Sequence, residues 1–239
     1  MLQACLNGSR TRNDHPAIPC TPDEIAADAE KAVLAGAAEL HIHVRNDRET
    51  ESLEPEDVAR TLSAVRDRLP RIPVGISTAW PILPDSAARM QRLRSWHVLP
   101  DYITVNIHEP DAEWMVAAAL SRGIGVEAGL CSEADAERFV AMPGCDSCRR
   151  ILIRIEKPDA GRESAEVRRI RSILKRADCR LPILLHGCEA TMWPMYIEAM
   201  LQGLDGRIGF EDGSILLSGV TARDNAELIE TAKIIASRF

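Results

Sequence analysis

Eight short apolar runs, each followed by a longer amphipathic stretch, constrain this chain more than any other feature of its sequence. The runs are Leu2 to Leu6, Leu40 to Val44, Val74 to Thr78, Tyr102 to Ile107, Gly125 to Leu130, Ile151 to Ile155, Ile183 to His186 and Arg207 to Phe210. Helical patterns cover Pro22 to Ala35, Pro55 to Arg68, Ser86 to Arg94, Ala112 to Ser121, Glu133 to Val140, Ser164 to Lys175, Thr191 to Leu201 and Ala222 to Ser237. Regular alternation of strand and helix implies a parallel sheet. Eight units without a long interruption favour a closed (β/α)8 barrel over an open doubly wound sheet, and 239 residues suit one barrel domain spanning residues 1–239. No GxGxxG follows the first strand, which weighs against a dinucleotide-binding sheet.

Local punctuation agrees with this reading. Thr21-Pro22-Asp23-Glu24 offers an N-cap, a proline at the first helical position and a Glu three residues after the cap. Gly36 is placed to end the same helix. The polar segment from Ser9 to Cys20 makes a long loop after the first strand, and long loops on the C-terminal face of a barrel usually carry function.

Bulk properties exclude some classes. A formal net charge of -7 argues against a general nucleic-acid binder. No stretch approaches the roughly 18 apolar residues of a transmembrane helix. The seven cysteines are irregularly spaced and no signal-peptide pattern precedes them, so a reducing, cytoplasmic setting is expected. Cys145 and Cys148 form a CxxC without a second pair or a thioredoxin-like context, and read as loop thiols.

The candidate chemistry gathers at strand ends. His41 and His43 flank Ile42 at the end of the second strand; residues two apart on a strand point the same way, so both imidazoles can reach one ion at the barrel mouth. Glu211 and Asp212 close the last strand at the same mouth. Glu211 can supply an oxygen ligand, completing the three-ligand set of an open zinc site, and Asp212 a base or an orienting group. Ser77, Thr104, Asn106 and Glu127 are further polar groups on strands three to five, and His186 ends the seventh strand as an extra ligand, a substrate contact or a structural histidine.

Several stretches, in order, carry a family resemblance: Leu6-Asn7-Gly8, Thr21-Pro22-Asp23-Glu24-Ile25-Ala26, Ala35-Gly36-Ala37-Ala38, His41-Ile42-His43-Val44-Arg45, Ile76-Ser77-Thr78, Thr104-Val105-Asn106 and Arg207-Ile208-Gly209-Phe210-Glu211-Asp212. Most of the chain resembles the β-keto acid cleavage enzymes. The resemblance implies a (β/α)8 barrel, a homotetramer, and a reaction in which a β-keto acid and acetyl-CoA give acetoacetate and a new acyl-CoA. It implies zinc, or another divalent metal, on His41, His43 and Glu211; proton handling by Arg207 and Asp212; and Ser77 and Thr104 orienting substrate or stabilising oxyanions. Asn106, Arg10 and Glu127 are expected as substrate contacts. Arg10 stands where a relative acting on an amino-substituted hexanoate has an acidic residue, so the expected substrate lacks that amine.

The departures fall where CoA and acyl-tail contacts are expected: Ala79-Trp80 after the third strand, Ile107-His108-Glu109-Pro110 after the fourth and His186-Gly187-Cys188-Glu189 near the seventh. The chain is also shorter than the family norm. Metal binding is therefore better supported than CoA-dependent turnover. Two other readings stay open: a CoA-independent metal-dependent lyase or aldolase, separated by whether acetoacetate requires acetyl-CoA, and a non-catalytic metal or small-molecule binding barrel, which would hold metal without turnover.

Overall fold

The computed structural model describes residues 1–156 and 165–239. Eight parallel strands close into a barrel in sequence order: β1 (Leu2–Cys5), β2 (Glu39–Ile42), β3 (Val74–Ser77), β4 (Tyr102–Asn106), β5 (Gly125–Leu130), β6 (Arg150–Ile155), β7 (Ile183–Gly187) and β8 (Asp205–Ile208). The helices outside are α1 (Pro22–Leu34), α2 (Pro55–Arg68), α3 (Ser86–Ser95), α4 (Ala112–Ser121), α5 (Glu133–Ala141), α6 (Ala165–Arg176), α7 (Met192–Leu201) and α8 (Asn225–Ala236). All eight expected strands and helices are present. The expected start of the sixth helix at Ser164 lies outside the described residues.

The helix starts follow their cap chemistry. Thr21 accepts from the Glu24 N–H, and the Glu24 carboxylate reaches back to the Thr21 N–H, closing the capping box ahead of Pro22. Strand alternation sorts the residues into two layers. Ala4, Leu40, Ile42, Ile76 and Val105 belong to the apolar core under the helices. The opposite parity points into the barrel and is largely polar. Gln3 donates across it to the Tyr102 hydroxyl and to Glu127, and Arg150 reaches from β6 to Glu127 and to Glu39 on β2. Burying these charges is tolerable because each is paired and hydrogen-bonded.

The boundary difference that shapes the barrel mouth is at the last strand. The sequence reading runs it from Arg207 to Phe210, whereas β8 ends at Ile208. Gly209 then leaves the ladder: a Cβ there would sit 2.0 Å from the Cys5 carbonyl oxygen, so only glycine allows this approach. The Gly209 carbonyl accepts from both the Asp212 and Gly213 N–H groups, forming a tight turn at the mouth.

Candidate active site

The end of β2 is extended by a side chain. His43 lies just past the last β2 residue, and its N–H and C=O both bond to the Asn7 amide, at 2.9 and 3.0 Å. Asn7 thus continues the β1–β2 pairing and keeps His43 on the parity of His41. Arg45, two residues on, donates to the carbonyls of Gly8, Arg10 and Glu49 and staples the loops after β1 and β2 together.

His41, His43 and Glu211 converge. His41 Nε2 is 3.5 Å from Glu211 Oε2, and His43 Nε2 is 3.5 Å from Glu211 Oε1. Tetrahedral zinc with bonds of about 2.1 Å would space its donors about 3.4 Å apart. Glu211 Oε2 is buried without a hydrogen-bond partner. An orphaned carboxylate oxygen beside two imidazole nitrogens is a donor set that fits a divalent cation.

The far side of each imidazole is also held. Thr104 Oγ1 is 2.9 Å from Glu127 Oε1 and 3.3 Å from His41 Nδ1. Nearby cations, Arg150 foremost, override the effect of burial and keep the Glu127 carboxyl below its usual range. An ionised Glu127 only accepts, so the single Thr104 proton goes to it and Thr104 accepts from His41 Nδ1–H. That tautomer leaves His41 Nε2 as a free lone pair. His43 Nδ1 contacts Glu51, which presents the His43 Nε2 atom to Glu211 in the same way.

Burial, assisted by Arg207, pushes His41 down to about 4, so it is neutral at pH 7. Burial would lower His43 too, but Glu211 and Glu51 outweigh it and raise it to about 9. Glu211 itself lies well below the usual carboxylate range, because Arg207 and both histidines override its burial.

Asp212 forms the floor beside this trio. Arg207 grips both of its oxygens, at 3.0 and 2.9 Å, and reaches Glu211 Oε1 at 2.5 Å. His186 Nδ1 lies 3.1 Å from Asp212 Oδ2, and the Cys5 thiol donates to the same oxygen at 3.1 Å. Burial would raise the Asp212 carboxyl, but Arg207 and then His186 hold it far below its ordinary value.

A cavity of about 450 Å³ opens above these groups, lined among others by His43, Glu211, Asp212, Arg207, Asn106, Trp80, His108 and Arg154. The expected site residues divide into three groups. His41, His43, Glu211, Arg207 and Asp212 come together. Asn106 lines the cavity, its amide tied to Glu109. Ser77, Thr104, Glu127 and Arg10 do not line it. Ser77 accepts from the Ala79 N–H, while Thr104 and Glu127 sit beneath the histidines and position them. Arg10 pairs with Glu189 and donates to the Glu211 carbonyl, so it braces the loop after β8.

Asn7, Glu51 and Arg154 are site residues that sequence patterning did not single out, and His186 gains a defined partner in Asp212. Cys148 is buried, and burial pushes its thiol up to about 12, which leaves the CxxC without a reactive thiolate there. No helix among the described residues is long and apolar enough to cross a membrane.

A family model described as beta-keto acid cleavage enzyme matches residues 1–142 and 165–239. The 3-keto-5-aminohexanoate cleavage enzyme of Fusobacterium nucleatum subsp. nucleatum is 24% identical over 273 residues, covering 100% of this chain and 92% of that protein. The 3-oxoadipate:acetyl-CoA acetyltransferase of Cupriavidus necator is 40% identical over 79 residues, which is 33% of this chain and only 28% of that relative. Among solved structures, ObcA in a binary complex with oxaloacetate superposes with a TM-score of 0.69 at 19% identity, over 92% of this chain and 63% of that one. This chain therefore spans less than two thirds of ObcA. The 3-dehydroquinate dehydratase from Aquifex aeolicus VF5 gives a TM-score of 0.61 at 12% identity, over 100% and 98%. At these identities the structural likeness concerns the barrel alone.

Proposed function

This chain belongs to the beta-keto acid cleavage enzyme family, and from that premise we propose that it exchanges acyl groups between a β-keto acid and acetyl-CoA, releasing acetoacetate and a new acyl-CoA. The observation that carries the reading is the convergence of His41 Nε2 and His43 Nε2 on the two oxygens of Glu211, directly beside the Arg207–Asp212 pair. A divalent cation, zinc by its donor set, would be held by His41, His43 and Glu211 and would supply Lewis acidity toward the keto and carboxylate oxygens of the substrate.

The chain's own groups then divide the proton work. Asp212, oriented by Arg207 and His186, takes the proton from the carbon between the keto and carboxylate groups. That carbon bonds to the thioester carbon of acetyl-CoA, and CoA leaves as thiolate. The thiolate adds to the original keto carbon, the bond from that carbon to the α-carbon breaks, and Asp212 returns its proton to acetoacetate. Atoms and electrons balance without a further reactant. Protonation of Asp212 removes the negative charge that offsets Arg207, which leaves more of the guanidinium's charge to stabilise negative charge developing on the substrate. The firm hold on Asp212 lowers its basicity, and positioning offsets part of that loss.

Arg10 pairs with Glu189 and donates to the Glu211 carbonyl, so it holds the loop that carries Glu211 and is not placed to contact the substrate. The test is metal content by elemental analysis, followed on the same sample by acetoacetate formation from a panel of β-keto acids. Near-stoichiometric zinc with acetyl-CoA-dependent turnover is expected. Zinc with turnover that does not need acetyl-CoA, or with none, would refute the acyl-exchange reading.

A further inference from the structure

The cavity has two chemically different ends. His41 and His43 belong to β2 and its end, and Glu211 follows β8, two places from β2 in the closed order. β6 lies four strands from β2, on the opposite wall of the barrel. Arg150 and Arg154 are four residues apart on β6 and share a face. Arg150 points inward to Glu39 and Glu127. Arg154 therefore rises from the same face nearer the mouth, where it lines the cavity. Its register partner on β7 is His186, which also points inward, to Asp212.

The charged groups around Arg154 differ in how firmly they are engaged. Arg207 is committed to Glu211 and Asp212, Glu109 to Arg89, and Glu51 to His43. Arg154 pairs at 2.9 Å with Glu156, whose side chain is 58% exposed, and such solvent-facing pairs are weak and readily exchanged. Arg154 Nε is buried without an acceptor among the described residues. Arg154 also lies against Cys131, which shares a cluster with the half-exposed His108 and with Asp135. Asp135 spends its Oδ2 on the Cys131 N–H. Trp80, Pro81 and Ile82 add apolar lining suited to a methylene chain.

We propose that Arg154 binds a terminal carboxylate of the substrate, so that the β-keto acid taken by this chain is a dicarboxylate. The proposal rests on the reading above, in which the keto-acid end of the substrate sits at His41, His43 and Glu211. A guanidinium fork facing an anion across a cavity of about 450 Å³ suits an extended small diacid, one carboxylate at each end. Arg10, braced against Glu189 outside the cavity lining, does not fill this role.

The experiment compares the metal-loaded wild type with Arg154→Gln and Arg154→Lys on two keto acids of equal chain length, 3-oxoadipate and 3-oxohexanoate. Arg154→Gln is expected to lower kcat/KM for 3-oxoadipate about 100-fold, chiefly through KM. The loss on 3-oxohexanoate should be far smaller than the loss on 3-oxoadipate, and an unchanged urea-unfolding midpoint certifies the fold. Arg154→Lys should retain part of the preference, since the charge remains and the fork is lost. Equal losses on both keto acids would overturn the proposal. A rise confined to the KM for acetyl-CoA would overturn it too, by assigning Arg154 to CoA phosphate. Calorimetric binding of adipate separates this inference from the activity it rests on. Arg154-dependent adipate binding without turnover of any keto acid keeps the subsite and removes the activity. Turnover with no Arg154-dependent adipate binding removes the subsite and keeps the activity.

Discussion

Replacing Thr104 with valine keeps nearly the same shape and deletes one hydroxyl, and that hydroxyl connects Glu127 to His41. It donates to Glu127 at 2.9 Å and stands 3.3 Å from His41 Nδ1. Glu127 keeps Gln3 and Arg150 as partners, whereas His41 Nδ1 loses the hydroxyl that faces it. In Thr104→Val the His41 Nδ1–H has lost its acceptor, and both the ring angle and the tautomer are released. Outer-partner losses of this kind cost about 10- to 100-fold in metal affinity, or about 1.4 to 2.7 kcal/mol. The buried groups left short of a partner should cost the folded chain about 1 to 3 kcal/mol as well. Zinc titration against a competing chelator measures the first quantity, and urea unfolding of the metal-free protein the second. Thr104→Ser, which restores the hydroxyl, should return zinc affinity to near the wild-type value. Turnover at saturating zinc should fall less than zinc affinity does. If affinity is unchanged while turnover at saturating zinc collapses, Thr104 acts on the substrate and its place beneath His41 has been misread.

Other substitutions probe separate parts of the argument. His41→Ala and Glu211→Ala should abolish zinc retention, while Asp212→Asn should keep the metal and lose about 100-fold or more in kcat; full zinc occupancy in the His41 variant, by elemental analysis, would dismiss the site. Gly8 has φ +58°, and a Cβ there would lie 2.5 Å from Glu211 Cγ. Gly8→Ala should therefore displace Glu211 and lose zinc, with about 1 to 2 kcal/mol of backbone strain visible in thermal unfolding. Asp28, bonded at 2.6 Å to Asn225, is raised by burial to about 7. Its folded value lies above its unfolded one, so its contribution to stability is fully present below about pH 4 and is lost as pH rises through 7. Asp28→Asn should gain on the wild type over that window by at most roughly 4 kcal/mol, and urea midpoints at pH 5 and pH 8 that shift in parallel for both proteins would contradict this.

The two histidines were legible because strand parity is a local rule, and His41 and His43 obey it once Asn7 extends the β1–β2 pairing. Glu211 and Asp212 were legible as residues but not as geometry. Adjacent positions on a strand face opposite ways, and both carboxylates reach one cavity because the chain leaves the ladder at Gly209 and turns. Glu51 carried no periodic signal: it follows His43 by eight residues and returns through the loop after β2, where it bridges with Arg45. Glu127 and Thr104 looked like substrate-facing groups, since sequence places them on inward parity without saying how deep in the barrel they lie.

The order of strands and helices, the capped start of α1 and the residue types able to hold a metal can be read along the chain, because periodicity, caps and donor chemistry are properties of neighbouring residues. Which polar groups meet follows from folding. Closure of the barrel sets β8 beside β1 and β6 across from β2, so the partners of Asp212, the support under His41 and the cationic wall at Arg154 come from residues far apart in the chain, and no local pattern encodes that distance.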